Sequence, residues 1–286
     1  MSKAYKRDEA LARLKATIRS GKPIIIGGAG DGFVAKLEEM GGTDIIGIYN
    51  SSYTRHLGYG PTPALFATND ANSLVLDEAP KICAAVKEAI IIAGFCAQNP
   101  ITNWERWCAE MHSIGVTAFM NFPTVGMMSG SYRQMIEDAG YGFKRECEIL
   151  KIIHDLGYLT LGYAFDLEEV EMVCNADVDI VGCHAGGTTG GLIGFKSAMD
   201  EAQTIKLMNE MIEVARKTRP KLDFLPIIHG GIMESPETTE PILKATGAVG
   251  YLGASSIERT PVEKAVIKVC QDFKNMKMNI AEWIKL

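Results

Sequence analysis

The sequence contains no CxxC or CxxxC pair, no long hydrophobic run and no excess of positive charge. Its seven cysteines are odd in number and scattered. That pattern argues against a disulfide framework or a cysteine-based zinc site, and it predicts reduced thiols in a cytoplasmic protein. The longest apolar runs, such as 89–93, are far too short to span a bilayer. The opening segment MSKAYKRDEALARLK has no apolar stretch after its charges, so no signal peptide is expected. With 29 basic and 35 acidic residues the net charge is −6. No general affinity for nucleic acid or anionic membrane is expected from that balance. Any anionic ligand must be held by a local site. No low-complexity tract or Pro/Ser-rich linker divides the chain.

The 286 residues include 47% hydrophobic ones, enough for a large core. This length exceeds the usual limit of one core, but barrels of about 250 residues commonly form one domain. Apolar β-branched runs alternate with amphipathic ones. Strands are expected at 22–28, 44–50, 89–98, 116–122, 159–164, 180–184, 224–229 and 249–253. Helices are expected at 33–40, 81–87, 104–113, 144–156, 167–174, 201–217, 238–245 and 262–276. Continuous apolar strands imply burial on both faces. Eight strand–helix alternations predict an α/β fold, a single (β/α)8 TIM barrel with its core at about 22–275. An extra N-terminal helix near 8–19 is expected to cover the barrel's N-terminal end. Two connections are long, 51–76 and 185–199, and both directly follow strands. In a barrel such loops build the catalytic face.

The seventh strand ends in His229-Gly230-Gly231-Ile232 and the eighth in Gly253-Ala254-Ser255-Ser256. Barrels form anion cups at these strand ends, where glycine allows close backbone approach. Gly230, Gly231, Gly253, Ala254, Ser255 and Ser256 are therefore candidate binding residues. The competing reading is that the glycines only turn the chain. His184 and His229 end adjacent strands, within reach of one ligand, and suit proton transfer. Either, taken alone, reads more readily as a hydrogen-bonded core histidine, and their matched placement reverses that preference. His56 lies in the second loop, whereas His112 and His154 fall on helices. Lys196, in the glycine-rich sixth loop, either closes on an anion or is simply solvated. Arg55 stands in the same position in loop two. Asn50 and Asn121 are neutral donors suited to a carbonyl or enolate oxygen. Glu258 is a base or a first-turn residue favoured by a helix dipole. No cluster has firm metal-ligand spacing. Mg2+ remains possible, with Asp70 and Asp77 as either ligands or loop and cap residues, and Asp166 reads as a helix N-cap.

Several segments carry a family likeness. These are Ile48-Tyr49-Asn50-Ser51-Ser52, Asn121-Phe122-Pro123-Thr124-Val125-Gly126, Tyr163-Ala164-Phe165, the 229–232 segment, and Gly253 to Arg259 followed by Pro261-Val262-Glu263. Together they resemble the phosphoenolpyruvate hydrolase-like family of TIM-barrel proteins, from about Lys22 to Phe273. The same module is similar to the C-terminal half of the tomato mosaic virus resistance proteins. The likeness implies a hydrolase of phosphoenolpyruvate or phosphonopyruvate type acting on a small phosphorylated or carboxylated acid. In the wider superfamily, acidic residues after the barrel strands bind Mg2+. Here 96–99 and 121–123 offer no such carboxylates. Two other readings stand beside this one: a non-catalytic barrel that binds a ligand or protein, and an aldolase-type carbon–carbon lyase with Lys196 as Schiff-base lysine. Single-domain barrels of this kind often assemble, so a homo-oligomer of unspecified stoichiometry is expected.

Overall fold

The computed structural model describes residues 2–196 and 198–277. Eight parallel strands close into a barrel in sequence order. They are β1 (Ile24–Gly28), β2 (Ile45–Ile48), β3 (Ile90–Phe95), β4 (Ala118–Asn121), β5 (Leu159–Ala164), β6 (Ile180–His184), β7 (Leu225–His229) and β8 (Gly250–Gly253). Closure is made by β1 against β8, from Ile24 opposite Gly250 to Gly27 opposite Gly253. The strands are buried and largely apolar because both faces are covered. Ile24, Ile26, Ile90, Ile92, Leu161, Ile180 and Ile227 belong to an inner cluster that fills the barrel. Ile46, Ile91, Phe119, Val181 and Ile228 belong to an outer cluster against the helices.

The helices are α1 (Arg7–Arg19), α2 (Gly32–Met40), α3 (Asn50–His56), α4 (Ala71–Ala85), α5 (Trp104–Ile114), α6 (Gly130–Asp138), α7 (Phe143–Asp155), α8 (Leu167–Asn175), α9 (Glu201–Thr218), α10 (Pro236–Ala245) and α11 (Thr260–Lys274). As expected, α1 covers the N-terminal end. Its Ala10 and Leu14 join Tyr5 in the inner cluster. Arg7 pairs with the buried Asp179 at 2.6 Å, tying the helix to the barrel floor.

Three segments differ from expectation. The loop at 51–76 is largely helical, with α3, a 3-10 turn at Thr62–Leu65 and the start of α4. Helix α4 begins ten residues before the expected Lys81, because Asp70 caps it by accepting from the amides of Asn72 and Ser73. Pro80, which reads as a breaker, is accommodated inside it. Helix α6 lies in the β4–α7 connection, where no helix was expected. Finally, α11 buries only Thr260, so it does not close the helical ring as a packed element. The eighth strand reaches it through a π-helical turn, Ser255–Arg259.

Candidate active site

The C-terminal strand ends surround a pocket of about 50 Å³. That is room for roughly four water-sized groups. Its floor and walls include Tyr49, Ser51, Arg55, Tyr163, His184, His229 and Ser255. Its roof is apolar: Pro61 and Leu65 from the second loop, Met127 from the fourth, Ile193 and Phe195 from the sixth. Loop six is held in place by Phe195, whose amide donates to the Thr188 carbonyl at 3.1 Å.

Parallel register sets His184 directly opposite His229. Their rings lie 4.3 Å apart between centroids. The Gly186 amide donates to Nδ1 of His184 at 3.0 Å, which leaves the ring proton on Nε2. Phe165 stacks on the other face of the ring at 4.4 Å. Burial pushes His184 down to about 3. It pushes His229 down as well, helped by His184 and the charge of Arg55. Both rings are therefore neutral at physiological pH. The Tyr163 hydroxyl lies 2.9 Å from Nδ1 of His229. Burial raises Tyr163 well above the usual phenol range, so it stays protonated and donates to that nitrogen. Tyr163, His229 and His184 thus form one neutral, proton-carrying row on the pocket wall.

Arg55 is the cation among the lining residues, and it is 5% exposed. Its Nε donates to Glu258. Its two terminal nitrogens donate to Ser51 Oγ at 3.2 Å and Ser52 Oγ at 2.9 Å. Two of its five N–H groups make no hydrogen bond within the protein. Glu258 is thus placed behind Arg55 as its counter-charge, outside the pocket lining. The second oxygen of Glu258 is buried without a partner. Nε2 of His56 lies 3.8 Å from it, and Nδ1 of His56 bonds Asp31 at 2.8 Å.

The remaining predicted residues fall elsewhere. Asn50 begins α3 and donates to the Ala64 carbonyl at 2.8 Å. Asn121 donates to Glu146 at 2.7 Å and accepts from the Tyr163 amide at 2.7 Å. Both side chains therefore hold the loops rather than face the cavity. The amide of Gly231 donates to the Gly186 carbonyl at 3.0 Å, which removes it from any anion cup. Gly230, at φ +87°, is glycine because a Cβ there lies 2.1 Å from the Gly186 oxygen. The Ser256 hydroxyl bonds Tyr251 at 2.7 Å, on the outer side of β8. Gly253 ends β8, and Ala254 and Ser255 line the pocket beyond it. Lys196 is exposed and lies outside the lining, although Ile193 to Phe195 form part of the roof.

With that geometry in view, residues 9–276 match the family described as phosphoenolpyruvate hydrolase-like. The chain belongs to that family. Its relatives include the ToMV resistance protein Tm-1(GCR237) of Solanum lycopersicum, 39% identical over 96% of this chain and 36% of that protein. The ToMV susceptible protein tm-1(GCR26) of the same plant matches equally well. The chain spans about a third of the length of these relatives. Among solved structures, a phosphonopyruvate hydrolase in complex with oxalate and Mg2+ superposes with a TM-score of 0.59 at 16% identity, covering 94% of this chain and 87% of that one. A phosphoenolpyruvate phosphomutase from Streptomyces platensis subsp. rosaceus reaches 0.58 at 17%, covering 92% and 85%. At such identities the likeness shows the barrel fold.

The family likeness raises the question of Mg2+, and the donor set does not fit it. Magnesium is held by one or more free carboxylates. Asp166 caps α8 by accepting from the Glu169 amide. Asp70 caps α4. Glu146 has both oxygens engaged, Glu258 is already paired with Arg55, and burial keeps Glu38 protonated. Among the described residues no group of three His, Cys, Asp or Glu side chains is placed to hold a metal.

Four important side chains were given no role in the sequence reading: Tyr49, Tyr163, Glu146 and Glu38. Glu146, from α7, is fully buried and accepts from Asn121, Thr124, the Val125 amide and Gln98. It pins the ends of β3 and β4 together. Burial pushes its carboxyl up to about 7, and those four donors oppose a further rise. Glu38, from α2, is 6% exposed, and neither of its oxygens has a partner. The Tyr49 hydroxyl is also buried and unpartnered.

Proposed function

We propose that this family member is an enzyme of the hydrolase or lyase class that moves a proton on a small carbonyl-bearing acid held in the pocket. One observation carries the reading: the hydroxyl of Tyr163, 2.9 Å from His229, runs beside His184 in the same pocket as Arg55. The substrate carboxylate would meet the free N–H groups of Arg55 with help from Ser51 and Ser255. Neutral imidazole and phenol groups are good donors to a developing oxyanion, because they need no desolvated charge of their own. His184 Nε2–H is the donor to the oxyanion in this scheme, and Tyr163 Oη takes the substrate proton as its own passes to Nδ1 of His229, both transfers reversing when the proton is returned. No step is assigned to Lys196 or to a metal.

The test is consumption of a substrate pool. Small carboxylic and phosphorylated acids are incubated with the protein and followed by mass spectrometry. One acid should disappear, and His229→Ala or Tyr163→Phe should slow its loss about a hundredfold, within the usual range for a proton-transfer group. Saturable binding with no consumption at high protein concentration defeats the enzymatic reading and favours a binding barrel of the kind the Tm-1 relationship permits.

Self-association is proposed from a different observation. Helix α11 leaves Val266 53% and Phe273 69% exposed, and nearby α2 leaves Phe33 69% exposed. Phe33, Val34, Val262, Val266 and Ile267 line a groove of about 470 Å³ between the two helices. A helix that stands off its barrel beside an uncovered apolar groove is complementary to a second copy, each supplying what the other lacks. The double variant Val266→Glu/Phe273→Glu should sediment as a monomer where the parent does not. A monomeric parent at high concentration removes the proposal.

A further inference from the structure

The charge balance of the pocket narrows what it can accept. We infer that its ligand is a small monoanion with an apolar substituent, neither phosphorylated nor polycarboxylated. This rests on the reading of the pocket as a ligand site and goes beyond it by naming the class.

The first argument is electrostatic. Arg55 is the cation in the lining, and Glu258 already neutralises it. His184 and His229 are neutral, held that way by their burial. The buried site therefore starts near zero net charge. A phosphorylated carboxylate would bring about three negative charges into it, and buried charge is tolerated only when paired. Two routes that relieve such charge elsewhere are restricted here by geometry. Metal neutralisation needs free carboxylates, whereas Asp70 and Asp166 serve as caps, Glu146 accepts four hydrogen bonds, Glu258 is paired with Arg55 and burial holds the proton on Glu38. Capture by a backbone cup after β7 and β8 is weakened, because the Gly231 amide is bonded to Gly186 and the Ser256 hydroxyl to Tyr251. A single carboxylate, by contrast, is matched by the two unused N–H groups of Arg55 together with the Ser51 and Ser255 hydroxyls.

The second argument comes from the opposite wall. Pro61, Leu65, Met127, Ile193 and Phe195 present carbon to the ligand from three separate loops. A phosphoryl group against that roof would lose its water and gain no donor, whereas a short alkyl group is favoured by about 0.8 kcal/mol per buried methylene. Polar floor and apolar roof together define an amphipathic small acid. The cavity volume limits its length to a short chain.

Isothermal titration calorimetry with three probes decides the point: pyruvate, 3-methyl-2-oxobutanoate and phosphoenolpyruvate, each with and without Mg2+. The branched acid carries two more methylene equivalents than pyruvate and should bind about tenfold more tightly. Phosphoenolpyruvate should bind no better than pyruvate, and Mg2+ should leave that order unchanged. Phe195→Ala should reduce the branched acid's advantage over pyruvate to about threefold. Tightest binding by phosphoenolpyruvate, with or without Mg2+, overturns the inference, as does the absence of binding by all three. These outcomes are independent of the consumption assay. A consumed phosphorylated acid would leave the enzymatic reading intact and sink this one. Tight binding of the branched acid without turnover would do the reverse.

Discussion

Replacing Glu258 with alanine is expected to destabilise the fold by about 3–5 kcal/mol, the usual cost of removing one partner from a buried ion pair. Arg55 and Glu258 are both almost fully enclosed. Without the carboxylate, a guanidinium held only by two serine hydroxyls remains in a low-dielectric site. The size of the loss depends on Glu38. That carboxyl is protonated in the parent protein, partly because Glu258 is already ionised nearby. Once Glu258 is gone, Glu38 can ionise and replace it as counter-charge. Loss at the lower end of the range is therefore expected for Glu258→Ala alone, and a larger loss when Glu38→Gln is already present. Chemical denaturation of the four members of this cycle measures the coupling. Additive losses would show that Glu38 does not communicate with the pair. A loss below about 1 kcal/mol for the single variant would show that Arg55 is better solvated than its burial implies.

This pair also shows what the sequence discloses and what it conceals. The barrel is legible because a parallel strand covered on both faces must be apolar along its whole length. Leu159–Ala164 and Ile180–His184 coincide with the expected strands for that reason. The approach of His184 to His229 is legible too, since consecutive barrel strands place their ends side by side. Helices in the connections were less visible. In α4 the cap at Asp70 outweighs Pro80, and in α6 no residue is buried to mark the helix as amphipathic. The hardest residues to see were charged groups on helices. Glu38 and Glu146 both sit in amphipathic segments where a glutamate reads as solvated, yet both turn inward. One signal was present. Gly27 and Gly28 interrupt an otherwise isoleucine-rich strand, and each leaves space that another residue's polar group fills. A Cβ at Gly27 would lie 2.5 Å from the Glu38 carboxylate, and one at Gly28 would lie 2.0 Å from the Tyr49 hydroxyl. Glycine in a strand interior marks close approach by something else, and here that is the polar layer behind the pocket. Which donors stay free for an anion cannot be read from glycine content. Gly231 supplies an amide, but loop six takes it.

Glu38→Gln should raise stability at neutral pH, the opposite of what removing a native charge usually does. Burial is the main cause of the raised carboxyl, pushing it from 4.5 to about 9, with repulsion from Glu258 adding to it and Arg55 opposing. Folding therefore holds a proton on Glu38 that the unfolded chain releases above its ordinary value. A folded pKa above the unfolded one contributes fully below about pH 4.5 and is lost progressively as pH rises toward 9. At pH 7 the loss is roughly 2.5 units at 1.36 kcal/mol each, about 3 kcal/mol. Glutamine matches the shape and polarity of the protonated acid without needing a proton, so it escapes that loss. The advantage of Glu38→Gln over the parent should be near zero at pH 4.5, reach about 3 kcal/mol at pH 7, and keep growing to pH 9. Guanidinium unfolding of both proteins across this range reads the slope directly. A pH-independent difference would mean that Glu38 ionises normally and reaches a partner or water in the folded chain. The same titration bears on the site, because an ionised Glu38 at high pH would compete with Glu258 for Arg55. Carboxylate binding to the pocket should then weaken above pH 9 in the parent and hold in the glutamine variant.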